Sequence, residues 1–313
     1  MFEQIIEQIR KYPKIIIHRH KNPDGDALGS QIGLKNILKD SFPGKEIYAV
    51  GDMTARYAFM EDSVMDDISD GVYSDALAVI LDTSAKALIS DERYTSAAAT
   101  VRIDHHIFCE TIADVEVTDT TYESCCGLIT EMAMECGLTV SALAAKSLYT
   151  GMVTDSGRFR YDSTCSNTFR LASFLMERSF STSEIYKSLY SDELDMLKLR
   201  AKYTLRIQTT KNNTAYIYTD LETAKSYNAD AFTLSRGMVN VMSDIRGIDR
   251  WVNFTETDNG VLCEIRSSLY NINPIAVKYG GGGHQKASGA TLKDRDEAMR
   301  LLDDLNNLTE ESI

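Results

Sequence analysis

The chain has 313 residues, enough for two domains that each bury a core, and its charged and apolar fractions are those of an ordinary soluble globular protein. Its formal net charge of −13 argues against a surface that tracks long duplex nucleic acid, since such binding rests on lysine and arginine neutralising phosphates. A small anionic substrate held by cations and a local basic pocket stays open. Apolar runs such as Ala76–Leu81 are too short to cross a bilayer, and the first residues lack a signal-peptide pattern. Six cysteines without a CxxC pair read as free thiols, so the expected location is the cytoplasm, with no membrane partner.

Phe2, Ile5, Ile6 and Ile9 make one face of a short amphipathic helix. Ile15–Ile17 reads as a buried strand that runs out into His20, Asp24 and Asp26, with Pro23 and Gly25 tightening the path between them. One imidazole and two carboxylates suit a divalent metal such as Mn²⁺. An Asx turn capping the next helix through Asp26 accounts for the same residues. That helix spans Asp26–Lys39, and Glu46–Val50 is a second strand. Asp75–Ser84 is an apolar strand ending on Asp82, and Ala97–His106 repeats the scheme, ending on Asp104, His105 and His106. Helices follow over Glu123–Gly137 and Ser141–Met152, and then Asp155 in a polar loop. Continuous apolar strands separated by helices indicate a parallel α/β sheet, whose ligand site lies beyond the carboxyl ends of its strands.

Ser181–Glu184 fits a capping box, and apolar spacing from Leu194 to Leu205 gives a further helix. Alternating strands follow at Thr214–Thr219, Trp251–Glu256 and Val261–Ser267, then a helix at Asn273–Tyr279 that runs into Gly280–Gly283 and His284. The expected organisation is an α/β chain: a parallel-sheet domain over 1–180, a helical connector over 181–205 and a smaller α/β domain over 206–313. Of the five histidines, four sit at strand ends beside carboxylates. His20, Asp24, Asp26, Asp82, His105 and Asp155 would repel badly without cations, and two divalent ions sharing a carboxylate resolve this.

HKNPDGDALGS, LDTS, DHH and TDSGRFRY, in that order, resemble the motifs of the DHH phosphoesterase superfamily. Arg266–Ser268 and GGGGHQKASG resemble its associated C-terminal domain. The subgroup most similar is the NrnA-like nanoRNase and 3′-phosphoadenosine-5′-phosphate (pAp) phosphatase. RecJ-like exonucleases are longer, and family II pyrophosphatases lack the GGGGH element.

The resemblance implies two Mn²⁺ (Mg²⁺ or Co²⁺ as substitutes), one on His20 and Asp24 and one on Asp26 and His105. Asp82 would bridge them and Asp155 complete the set. His106 would face the substrate phosphate and Asp104 orient an imidazole. Arg266, Ser267, Ser268, Gly280, Gly281, Gly282, Gly283 and His284 would bind substrate, the glycines as an anion nest, with Arg158 a further contact. The implied activity is hydrolysis of very short oligoribonucleotides, pAp or both to nucleoside monophosphates. A cyclic di-AMP or pApA phosphodiesterase is the nearest alternative. A RecJ-like single-strand exonuclease and a non-catalytic nucleotide-binding module come next. The expected partners are a short oligonucleotide or small nucleotide, and a second copy of the chain in a homodimer is compatible.

Overall fold

A computed structural model describes residues 1–309. Contacts divide the chain into two units, Met1–Ser191 and the residues from Asp192 onward. In the first unit five strands form an all-parallel sheet in the order β2-β1-β3-β4-β5. They are β1 (Lys14–His18), β2 (Glu46–Ala49), β3 (Ala76–Leu81), β4 (Ala99–Asp104) and β5 (Val115–Thr118). Six helices accompany them: α1 (Glu3–Lys11), α2 (Gly25–Ser41), α3 (Cys125–Glu135), α4 (Ala142–Asp155), α5 (Ser166–Met176) and α6 (Thr182–Tyr190). The apolar runs are buried on both faces, as parallel strands require.

Side chains alternate across the pleat, which sorts them into two cores. Ile15, Ile17, Leu77, Val79, Leu81, Val101 and Ile103 join the helical core of α1–α4. Ile16, Ala76, Ala78 and Ile80 face the other way, covered by short 3₁₀ turns and loops that bring Ile68, Tyr73, Ile89 and Tyr94. His18 lies in this second layer, its ring 5.8 Å from that of Tyr73 and fully buried. Burial depresses its pKa to about 4, so it is a neutral core group.

Helices α2 and α4 pack unusually closely, and glycine is the reason. Gly25, Gly29 and Gly33 recur one turn apart on α2. A Cβ on Gly29 would sit 2.6 Å from the Ser147 carbonyl oxygen, and one on Gly33 2.6 Å from the Leu148 side chain.

The second unit carries a mixed sheet in the order β10-β11-β9-β8-β7-β6. Its elements are α7 (Leu194–Thr204), β6 (Gln208–Thr209), β7 (Thr214–Thr219), α8 (Leu221–Ser226), α9 (Ala231–Ser235), β8 (Arg250–Thr257) and β9 (Gly260–Ser267). They continue with α10 (Asn273–Lys278), β10 (Gly282–His284), β11 (Ala287–Leu292) and α11 (Arg295–Asn306). Phe254, Ile265 and Leu301 belong to one core, and Ile217, Trp251 and Met242 to another. The helical stretch expected as a connector is two helices, α6 in the first unit and α7 in the second. Among the described residues no helix is long and apolar enough to cross a membrane. All six cysteines are free.

Candidate metal centre

In the first sheet the chain leaves β1 towards β2 on one side, while β3 and β4 lie on the other. The carboxyl ends of β1 and β3 therefore form a switch point, where a doubly wound sheet leaves a crevice for ligand. His20 follows β1, Asp82 follows β3, and β4 ends on Asp104 just before His105 and His106. Helix α2 starts beside them with Asp24 as its cap, its Oδ1 accepting from the amides of Asp26 and Ala27 at 3.0 Å each. The sequence reading puts the cap at Asp26. Asp26 lies instead in the first turn, buried, because the cap acceptor must precede the amides it satisfies. Asp155 is also placed differently. It is the last residue of α4 rather than part of a loop, so its carboxylate reaches the site from a helix end.

These side chains form two donor groups, His20 with Asp24 and Asp82, and Asp26 with His105 and Asp155, each with its ligand atoms within 4.8 Å of one another. Asp82 lies between the groups. Its Oδ2 is 3.5 Å from His20 Nε2, and its Oδ1 is 3.5 Å from His105 Nε2. His105 Nε2 is also 3.4 Å from Asp155 and 3.7 Å from Asp26. Asp82 has φ +48° and is buried, and its Oδ1 has no hydrogen-bond donor.

The donor chemistry fits cations. His20 Nδ1 is 2.8 Å from the Lys21 carbonyl and His105 Nδ1 is 3.3 Å from that of Tyr122. A carbonyl only accepts, so Nδ1 donates to it and Nε2 is the nitrogen that faces the carboxylates, free to offer a lone pair to a cation once its proton leaves. The Nε2-to-carboxylate separations of 3.4–3.8 Å exceed a good hydrogen bond. Without a metal the cluster recruits protons. Burial lowers the affinity of His20 for a proton, yet Asp24 and Asp82 outweigh it and hold its pKa near 11. Burial is likewise outweighed at His105, held near 10 by Asp82, Asp26 and Asp155. Burial, then Asp82 and Asp155, push Asp26 well above the usual carboxylate range. Asp155 rises to about 6, chiefly through burial. A cluster that gathers this much positive charge as protons is one that divalent cations can fill.

One further support is invisible to ligand-spacing arguments. The amides of Cys125 and Cys126 donate to Asp26 at 2.7 and 2.9 Å. These are the free N–H groups of the first turn of α3, so that helix aims its positive end at a donor carboxylate. Ser124 before the apolar run marks a helix start in the sequence, but nothing there points it at Asp26.

Comparison with known proteins decides the family. Residues 14–152 match the DHH family N-terminal domain and residues 213–311 the DHHA1 domain. The bifunctional oligoribonuclease and PAP phosphatase NrnA of Bacillus subtilis is 35% identical over 99% of both chains. The chain belongs to the DHH family. The Mycoplasma genitalium protein of the same name is 31% identical over 96% of this DHH chain and 95% of its own. The crystal structure of an exopolyphosphatase-related protein from Bacteroides fragilis superimposes with a TM-score of 0.83, covering 97% of this chain and 95% of that one. At 23% identity that likeness speaks for the fold alone.

In this DHH chain His106 belongs to neither of these two groups but forms a third with Asp82 and His105, its Nδ1 3.5 Å from Asp82 Oδ1. Its Nδ1 is 2.8 Å from Asp104, whose other oxygen pairs with the fully buried Arg102. Arg158 is exposed in the turn that follows α4.

Within the DHHA1 part, Arg266 pairs with Glu264 at 3.0 Å. Ser267 is buried, its oxygen accepting from the amides of Leu269 and Tyr270 while its proton goes to the Asp249 carbonyl. Ser268 and His284 are exposed. The glycine run is not an open nest. The amides of Gly280 and Gly281 donate to the Val277 and Ala276 carbonyls, closing the end of α10 with Gly280 at φ +75°. Gly282 and Gly283 belong to β10 and pair with Gly289 and Ser288. Close approach is still the reason for glycine, since a Cβ on Gly281 would lie 2.1 Å from the Gly289 carbonyl oxygen.

Proposed function

We propose that this chain is a Mn²⁺-dependent phosphoesterase that hydrolyses very short oligoribonucleotides and pAp to nucleoside monophosphates. One observation carries the reading: two donor groups sharing Asp82, in a chain related over nearly its whole length to oligoribonuclease and PAP phosphatase proteins. His20, Asp24 and Asp82 would hold one cation, and Asp26, His105, Asp155 and Asp82 the other. Bound there, the pair supplies Lewis acidity and a charge clamp for displacement at phosphorus.

The remaining work falls to side chains. The hydrogen bond that His106 Nδ1 donates to Asp104 raises the pKa of His106, which favours the protonated imidazole that would pass a proton to the departing oxygen. Against the cost of burial, His106 and then the buried Arg102 hold Asp104 below the usual carboxylate range, and the Arg102 pairing fixes its orientation. In the second unit, Arg266 and His284 contact substrate phosphate. The test is turnover of pAp, a dinucleotide, a longer oligomer and cyclic di-AMP side by side with Mn²⁺. Preference for pAp and the dinucleotide is expected, while turnover of cyclic di-AMP alone would overturn the substrate assignment.

A further inference from the structure

Beside the donor carboxylates of Asp24 and Asp155 lies a cavity of about 230 Å³ within the first unit. Two arginine-on-tyrosine stacks line it. The Arg158 guanidinium lies 4.8 Å from the ring centre of Tyr190, and that of Arg56 lies 5.3 Å from that of Tyr57. Among the described residues neither guanidinium has an ion pair or hydrogen bond to the protein, although acidic side chains outnumber basic ones, 46 to 33. Charges left unpaired in such a chain are available to a ligand.

The backbone holds Arg158 in place. Gly157, Arg158 and Phe159 all have positive φ, at +57°, +66° and +60°. The turn is tied by the Arg158 amide to the Val153 carbonyl at 2.7 Å and by the Phe159 amide to Ser156 Oγ at 2.9 Å. Phe159 then packs its ring against Tyr149 and Phe169. A non-glycine residue takes this conformation only where its surroundings impose it.

We infer that this cavity is a nucleobase subsite, holding the base of the nucleotide whose phosphate sits at the metal centre. The inference rests on the phosphoesterase reading above and adds where the nucleoside goes. A guanidinium lying over a tyrosine ring can offer its other flat face to a base, with the ring as its backing. A second phosphate is the competing occupant, since Arg56, Arg158 and Arg160 line the wall together with Asp24 and Asp155, and comparing AMP with ribose 5-phosphate tells the two apart. The volume of about 230 Å³ lies below the roughly 300–1,000 Å³ of drug-sized sites, which suits one base with part of its ribose. Because every base has a π face, such a site accepts any of them.

The experiment is calorimetric titration of the full chain, loaded with Mn²⁺, with AMP and with ribose 5-phosphate. The wild-type protein should bind AMP about ten- to hundredfold more tightly than ribose 5-phosphate, the scale of one stacked base. Arg158→Ala and Tyr190→Ala should collapse that difference while leaving ribose 5-phosphate affinity and metal content unchanged. Tyr190→Phe should preserve it, since the ring and not the hydroxyl is used. An unchanged difference in both alanine variants would overturn the inference. So would equal weakening of both ligands, which marks a phosphate grip. Turnover of pAp and a dinucleotide is measured in parallel. A wild-type protein that shows the AMP preference but turns over neither substrate defeats the phosphoesterase reading and leaves the subsite standing.

Discussion

Replacing Asp82 is the most direct perturbation of the proposed centre. Its carboxylate is buried, 3.5 Å from both His20 and His105, and so stands between the two donor groups. Asparagine is the right substitute, because the backbone there has φ +48°, a region asparagine tolerates and alanine does not. Asp82→Asn therefore removes the charge while sparing shape and backbone. Breaking a buried charge interaction costs about 3–5 kcal/mol. At about 1.4 kcal/mol per tenfold, Mn²⁺ affinity should fall by at least a hundredfold. Thermal unfolding with and without Mn²⁺ reads this directly. Saturation at a hundred times Kd stabilises the wild-type protein by about 2.7 kcal/mol, and the variant at the same Mn²⁺ should lose most of that shift. Turnover of pAp should fall about a thousandfold or more. A variant that keeps the Mn²⁺ shift and turns over within tenfold of wild type would refute the shared role of Asp82.

Arg266→Ala should cost about 2–4 kcal/mol in kcat/KM on nucleotides without changing metal content. Equal losses on a generic small phosphodiester would point to the metal site instead. Gly29→Ala should destabilise the fold by about 1–3 kcal/mol in urea unfolding, because its Cβ would meet the Ser147 carbonyl oxygen at 2.6 Å. An unchanged midpoint would show that the helix pair relaxes freely. In the cation-free protein the surrounding carboxylates raise the pKa of His20 and His105, so Mn²⁺ binding at about pH 8 should release protons and tighten as pH rises. Calorimetry in buffers of different ionisation enthalpy checks this, and proton uptake would contradict it. Substrates of about two to five nucleotides should be preferred, since longer strands need a basic track that a chain of net charge −13 lacks. Processive digestion of long single strands at comparable kcat/KM would count against it.

What could be read in the sequence follows from which forces leave a pattern there. β1, β3 and β4 are legible because burial on both faces makes unbroken apolar runs, and the polar residue that ends each run marks a place in the site. β5 is not, since Val115–Thr118 is half-buried throughout and short. β10 and β11 are hidden for a different reason, because a strand of glycine, alanine and serine pairs through its backbone with little side-chain signature. Asp155 was obscured because the apolar pattern of α4 stops at Val153, while its hydrogen bonds continue for two more residues. The arginine–tyrosine stacks unite residues about a hundred positions apart, and no local pattern brings Arg56 beside Arg158.

The closeness of α2 and α4 links stability to chemistry. Asp26 lies in the first turn of α2 and Asp155 at the last residue of α4, so their separation depends on how nearly the two helices touch. Gly151 lies at that contact, where a Cβ would stand 2.3 Å from Cys126 Sγ and 3.0 Å from an oxygen of Asp26. Cys126 in turn belongs to the helix whose amino end holds Asp26. Any residue larger than glycine there must displace the Cys126 side chain and crowds Asp26, a donor carboxylate. The glycines of this contact therefore act on the metal centre without supplying a ligand to it. Their requirement is steric, whereas that of His20, Asp24, Asp26, Asp82, His105 and Asp155 is for donor chemistry, and a substitution series at Gly151 would separate the two by its effect on metal affinity at constant donor set.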